Sequence, residues 1–229
     1  MKLHPPSSSL LLFLVGLLVV APATAGTITG TVRAEGAPAA ASGGGGDKYA
    51  SRRYKFVERV DYAKLTDFVV YVDQVPATPP PPAKATVVQK DATFEPRVLP
   101  VAVGTTVLWP NEDDIYHNVF SMSEPREFNL GLYSADDAPP AITFDKLGRV
   151  DVFCSIHTKM HCIVLVLPNP WFALSDAKGR FVIRDVPPGT YKLRAWHERL
   201  PSVTLEVTVP AEGEVQVDFV LGLANLPKP

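Results

Sequence analysis

Cys154-Ser155-Ile156-His157-Thr158-Lys159-Met160 is the stretch on which the fold reading turns. It places a thiol, an imidazole and a thioether on one short loop. On either side lie strand-like runs, Arg149 to Phe153 before it and Cys162 to Leu167 after it. A second imidazole, His117, stands upstream in Asn111-Glu112-Asp113-Asp114-Ile115-Tyr116-His117-Asn118. Two imidazoles, one thiolate and one weak thioether form a donor set suited to a single copper ion that changes oxidation state. Soft sulfur stabilises the reduced ion, imidazole serves both states, and the thiol binds with its proton displaced.

Working outward, residues 85 to 167 read as short strands punctuated by turns: 85–90, 98–103, 105–109, 126–132, 141–144, 149–153 and 162–167. That rhythm is expected of a sandwich or barrel. Residues 171 to 222 alternate more regularly. Phe181 and Ile183, then Tyr191, Leu193 and Ala195, then Val203 to Val209, then Val215 to Leu221, mark strands with one wet face. Upstream, Thr27 to Val32 alternates and Phe68 to Val72 (FVVYV) is an apolar run of buried-strand length. Between these two, 36–46 reads as a flexible Gly/Ala/Pro/Ser linker and 47–66 as an inserted loop with one short helix. Pro76 and Pro79 to Pro82 form a stiff spacer and a boundary.

Composition agrees with an all-β chain. The 229 residues include 23 Pro, which disfavours a helical bundle, and 46% apolar residues, enough to bury a core. The formal charge of −2 gives no bulk attraction to nucleic acid or anionic membrane. Two cysteines exclude a disulfide framework or a multi-cysteine cluster. Leu10 to Val20 is an apolar run too short to span a bilayer, and Ala23-Thr24-Ala25 follows it before Gly26. Residues 1–25 therefore read as a secretory signal peptide, which makes the protein exported and periplasmic, with no membrane span.

The segment 84–168 resembles the cupredoxins, and among them amicyanin and the copper proteins called methylamine utilization proteins. The resemblance rests on Phe94 to Pro96, Val101 to Val107, Asn111 to Asn118, and Cys154 to Met160, whose His-to-Met spacing is amicyanin-like. It implies a Greek-key sandwich holding one type 1 copper ion. His117, Cys154 and His157 would be its strong ligands and Met160 its weak axial one, with Asn118 tying the two ligand loops together behind them. It also implies single-electron exchange with donor and acceptor redox proteins of cytochrome c or dehydrogenase type.

Residues 173–221 resemble the carboxypeptidase regulatory-like, prealbumin-type sandwich. The matching pieces are Ser175 to Phe181 and Gly189 to Leu193, with Ile28 to Val32 and Val69 to Val72 supplying that family's first strands. The organisation expected is a discontinuous sandwich of 26–75 and 169–223, with the copper domain inserted and 224–229 as a tail. Two sequential domains are the alternative.

Other readings stay open beside this one. Met122 is a second candidate for the axial position, and His161, next to Met160, is by default a surface histidine. His197 reads as structural or surface. Cys162 is either a small buried strand residue or the partner of Cys154 in a disulfide, which an exported protein permits and which would exclude copper. A periplasmic copper carrier or sensor, or a partner-docking module, without an electron-transfer role is the alternative function. No H-x-H pair, G-x-S-x-G, H-E-x-x-H or phosphate-binding glycine loop occurs, so an enzyme is not expected.

Overall fold

A computed structural model of the chain describes residues 25–36 and 61–222. Residues 1–24 of the expected signal peptide, most of the 36–66 linker and insertion, and the 224–229 tail lie outside the described residues. Among the described residues there is no α-helix, only a single 3-10 turn at Tyr62–Lys64.

The strands are β1 (Gly26–Ala34), β2 (Val69–Val72), β3 (Lys84–Thr86), β4 (Val88–Lys90), β5 (Thr93–Glu95), β6 (Val98–Ala102), β7 (Thr105–Leu108), β8 (His117–Ser123) and β9 (Arg126–Tyr133). They continue with β10 (Ala141–Phe144), β11 (Gly148–Phe153), β12 (His161–Leu167), β13 (Phe172–Leu174), β14 (Arg180–Val186), β15 (Gly189–His197), β16 (Leu200–Val209), β17 (Glu214–Gln216) and β18 (Phe219–Leu221). Four sheets carry most of them: β14-β1-β17 with β18 also on β1, β13-β2-β15-β16, β6-β12-β11-β8-β9, and β10-β7-β3. The remaining pair, β4 and β5, is a small hairpin.

Side-chain alternation stacks these sheets. Ile28 and Val32 of β1 meet Val70 and Val72 of β2, with Phe181, Leu193, Val207 and Phe219, in one core. The opposite face of β2, Val69 and Tyr71, packs on Val98 of β6 and on Ile163, Leu165 and Leu167 of β12. The alternate residues of β12, Cys162, Val164 and Val166, turn to the third core with Val107, Trp109 and Phe144. Strands β2 and β12 are thus buried on both faces, which is why FVVYV and CIVLVL read as unbroken apolar runs. The two middle sheets face each other, and each is half of one sandwich.

Two glycines permit close approach in the first sandwich. A side chain at Gly30 would place Cβ 1.8 Å from the Val217 carbonyl oxygen. Gly179 has φ +76°, and its Cβ would meet the Val32 carbonyl oxygen at 2.2 Å. There the Val32 amide donates to the Gly179 carbonyl (2.8 Å), while Asp176 Oδ1 accepts from the amides of Lys178 and Arg180.

Strand β8 departs from the sequence reading, which left His117 in a loop. Its outward side chains include Met122, 79% exposed, while Ser121 is buried. Val119 is buried beside Ser121 while apolar Phe120 and Met122 take the other side, so apolar and polar residues do not alternate and no strand is announced.

Candidate metal centre

Antiparallel pairing of β11 with β12 brings Phe153 opposite His161 and leaves 154–160 as the loop between them. Two backbone bonds close that loop. Cys154 N donates to Met160 O (3.2 Å) and Met160 N donates to His157 O (2.9 Å). Pairing of Phe153 with Phe120 sets β8 beside β11, so His117, the first residue of β8, arrives over the same loop.

The expected ligand atoms of His117, Cys154 and His157 all lie within 4.8 Å of one another. Cys154 Sγ is 3.9 Å from His117 Nδ1 and 3.8 Å from His157 Nδ1. The two imidazoles meet edge to face, centroids 4.9 Å apart. A metal bonded to sulfur at ~2.3 Å and nitrogen at ~2.0–2.1 Å places S and N about 3.8 Å apart at an angle of about 120°, and about 3.5 Å apart at a tetrahedral angle. The observed separations fit a trigonal arrangement of one thiolate and two imidazoles, and the donor set suits copper.

The cluster is graded in exposure. His117 is fully buried, Cys154 nearly so, and His157 half-buried. Met160 is 1% exposed and packs in the same core as Cys154. Met122, the other axial candidate, points to solvent. His161 is half-buried at the start of β12, on the face opposite Cys162, where Nε2 is 2.9 Å from Asp151 Oδ1 and the ring stacks on Phe153 at 4.8 Å. That is the direction expected from alternation with Cys162.

Both cysteines are free thiols, so the disulfide alternative is not what the structure contains. Cys162 is fully buried opposite Val152, and burial pushes its thiol well above the ordinary range. His197 is buried against Phe68 and accepts a hydrogen bond from the Arg199 amide, a structural residue as expected.

Asn118 corrects the sequence expectation in part. Its side-chain amide donates to Asn129 Oδ1 (2.8 Å) and Gly131 O (3.2 Å), both on β9. Its donors therefore brace the β8–β9 hairpin rather than tie the 111–117 loop to the 154–160 loop. Asn118 and Gly131 flank the register shift between Asn118 and Phe120, where an amide side chain satisfies a carbonyl left by the ladder.

Asp113 is the residue that the sequence reading passed over. Its Oδ2 lies 2.7 Å from His117 Nε2, the ring nitrogen remote from Cys154. Burial alone would raise its carboxyl, but hydrogen bonds from the Ala92 amide, His117 and the Asp91 amide outweigh it and hold it below the usual carboxylate range. Asn111 braces the loop: its Oδ1 accepts from Asp113 N, and its Nδ2 donates to Ile115 O and Tyr133 O. The Tyr133 hydroxyl donates to Trp109 O and accepts from Gln89 Nε2 beneath the site. The local sequence carries no signal for these contacts beyond Asp113 being four residues before His117.

A β-sandwich with a buried Cys–His cluster between two loops defines the class: an all-β protein with residues that could hold a metal gathered at one end of a sandwich. The second sandwich is also recognisable, since residues 168–222 match the carboxypeptidase regulatory-like domain family. Among solved structures, the chain is similar to a purple cupredoxin from Nitrosopumilus maritimus, with 26% identity, 36% of this chain and 98% of that one covered, and a TM-score of 0.32. It is similar to the Cu(I) form of a mutant amicyanin at 26% identity, covering 35% of this chain and 79% of that one, TM-score 0.33. It is also similar to the copper-containing nitrite reductase of Thermus scotoductus SA-01 at 32% identity, TM-score 0.34, where 36% of this chain spans 22% of that enzyme. No protein of curated function matches the chain.

Proposed function

We propose that the chain is an exported mononuclear type 1 copper protein that passes single electrons between redox proteins in the periplasm. The observation that carries this is the convergence of Cys154 Sγ with His117 Nδ1 and His157 Nδ1 at 3.9 and 3.8 Å on a β scaffold. His117, Cys154 and His157 would hold the ion, with Met160 as the weak axial donor. Bound there, copper supplies a one-electron couple whose reduced state the thiolate stabilises.

The chain's own groups support that role. The His117 ring is fully buried, which keeps solvent from that side of the cluster. Half-buried His157 lies on the loop facing solvent and is the exit route for the electron. Exposed Ile115, Tyr116 and Ile156 lie in the two ligand loops and offer an apolar contact to a cytochrome c or dehydrogenase type partner. Export rests on the signal-like residues 1–25. Among the described residues no helix is long and apolar enough to cross a membrane.

In the same reading, 84–168 is the copper domain inserted into a regulatory-like sandwich made of 26–75 and 169–223. Strand pairing supports this, because β1 pairs with β14, β17 and β18, and β2 lies between β13 and β15. The exit and return of the chain are side by side: Asn169 Nδ2 donates to the carbonyls of Val72 (2.7 Å) and Gln74 (2.8 Å).

Cyclic voltammetry of the copper-loaded chain separates a carrier of electrons from a carrier of copper. A reversible one-electron wave with the copper retained is expected. An irreversible wave, with copper passing freely to a chelator, would favour the copper carrier or sensor instead.

A further inference from the structure

The β4–β5 hairpin contributes no expected ligand, yet its turn is built in an unfavourable conformation. Asp91 and Ala92 have φ of 52° and 51°, both left-handed. A two-residue turn of this kind takes Asn, Asp or Gly, so Asp91 is ordinary at the first position and Ala92, with its Cβ, is the disfavoured residue at the second. A strained residue persists where its surroundings require it. Here the requirement is visible. The consecutive amides of the turn converge on one carboxylate: Asp91 N donates to Asp113 Oδ1 (2.6 Å) and Ala92 N to Asp113 Oδ2 (3.0 Å). That Oδ2 is the atom 2.7 Å from His117 Nε2. The hairpin and the 111–113 loop are further joined by the Glu112 amide donating to Gln89 O (2.9 Å). The Asp113 side chain is 13% exposed, at the edge of the cluster.

We propose that the β4–β5 turn and Asp113 form a carboxylate clamp that sets the redox poise of the centre through His117. Asp113 is a positioning residue. It holds the ring proton on Nε2, which leaves the Nδ1 lone pair facing Cys154. Its negative charge stabilises the oxidised centre more than the reduced one, because the oxidised centre carries one more positive charge. The proposal rests on the copper reading above.

The test is Asp113→Asn in the full chain, with copper as the probe. Cu(II) affinity is expected to fall ~10–100-fold, the usual loss for a partner behind a ligating histidine. Cu(I) affinity falls less, so the potential rises; a tenfold differential corresponds to about 59 mV for one electron. Equal losses for both oxidation states, or an unchanged potential, would reduce Asp113 to a structural group and overturn the proposal. Nitrogen-15 NMR of the wild-type chain, metal-free and Cu(I)-loaded, reads the His117 tautomer directly and decides the matter even if the variant does not fold. In the metal-free chain, where no metal fixes the tautomer, a proton on Nε2 supports the clamp and a proton on Nδ1 refutes it. A wild type that binds no copper overturns the copper reading and the redox bias together, while the tautomer still judges the clamp by itself.

Discussion

Cys154 and Cys162 face the same core, yet they have opposite chemistry. Cys154 has imidazole nitrogens at 3.9 and 3.8 Å, whereas Cys162 is fully buried and lies outside the His117–Cys154–His157 cluster. In the native metal-free chain, a thiol reagent at neutral pH is therefore expected to spare Cys162 until denaturant is added. Cys162→Ala should keep copper binding, whereas rapid native labelling of Cys162 would contradict its burial. His161→Ala should likewise leave copper affinity unchanged, because its ring is engaged by Asp151 and Phe153 on the face opposite Cys162. Isothermal titration with copper checks both variants. The residues of the cluster, His117, Cys154 and His157, were legible because they fall in compact local patterns, Cys154 to Met160 and the 111–118 segment. Asp113 was not, because its meaning depends on a distant hairpin turn, Asp91-Ala92, that only folding brings to it. The contacts of Asn118 were not legible for a similar reason. Its amide answers to a ladder irregularity beside β9, which no local pattern encodes.

At the scale of elements, β2 and β12 carry the most information. Their apolar runs signalled buried strands, but a run buried between two sandwiches looks the same as one buried inside a single core. The structure assigns alternate residues of each to different cores. Val69→Ala and Val70→Ala point in opposite directions, yet each is expected to cost roughly 1.5–3 kcal/mol in urea unfolding of the chain. A strand with one wet face would tolerate one of the two. Gly30→Ala should cost about 3 kcal/mol or more, since a Cβ 1.8 Å from a backbone oxygen forces β1 away from the 217 segment. Strand β8 shows where periodicity misleads. Phe120 and Met122 face outward while Asn118 and Ser121 are buried, so an apolar-in rule puts this segment in a loop.

Across the whole molecule, the junction of the two sandwiches joins apolar packing to a charged clasp. Arg97 binds Asp67 (2.9 Å) from one side and Glu198 (2.8 Å) from the other. His197 lies beside this clasp, and burial holds it below its ordinary value despite Glu198 and Asp67, with Arg97 and Arg199 acting in the same direction as burial. The folded chain keeps the ring neutral while the unfolded chain protonates it below about pH 6.5. Stability present above that pH is therefore lost as pH falls through it toward the lowered folded value. Urea midpoints from pH 7 to pH 5 should fall less steeply for His197→Gln than for wild type, and equal slopes would exclude His197 as a source of acid sensitivity. The two-sandwich composition was legible in the motifs of each half. The face-to-face contact of their middle sheets was not, because it depends on which side of β2 and β12 each residue takes.

The central claim is that Cys154 binds copper as a thiolate between two imidazoles, and visible absorption during copper(II) titration tests it most directly. The wild-type chain should develop an intense thiolate-to-copper band that saturates at one equivalent, and Cys154→Ser should lack it. A colourless wild-type complex, or a band that survives in Cys154→Ser, would contradict the account.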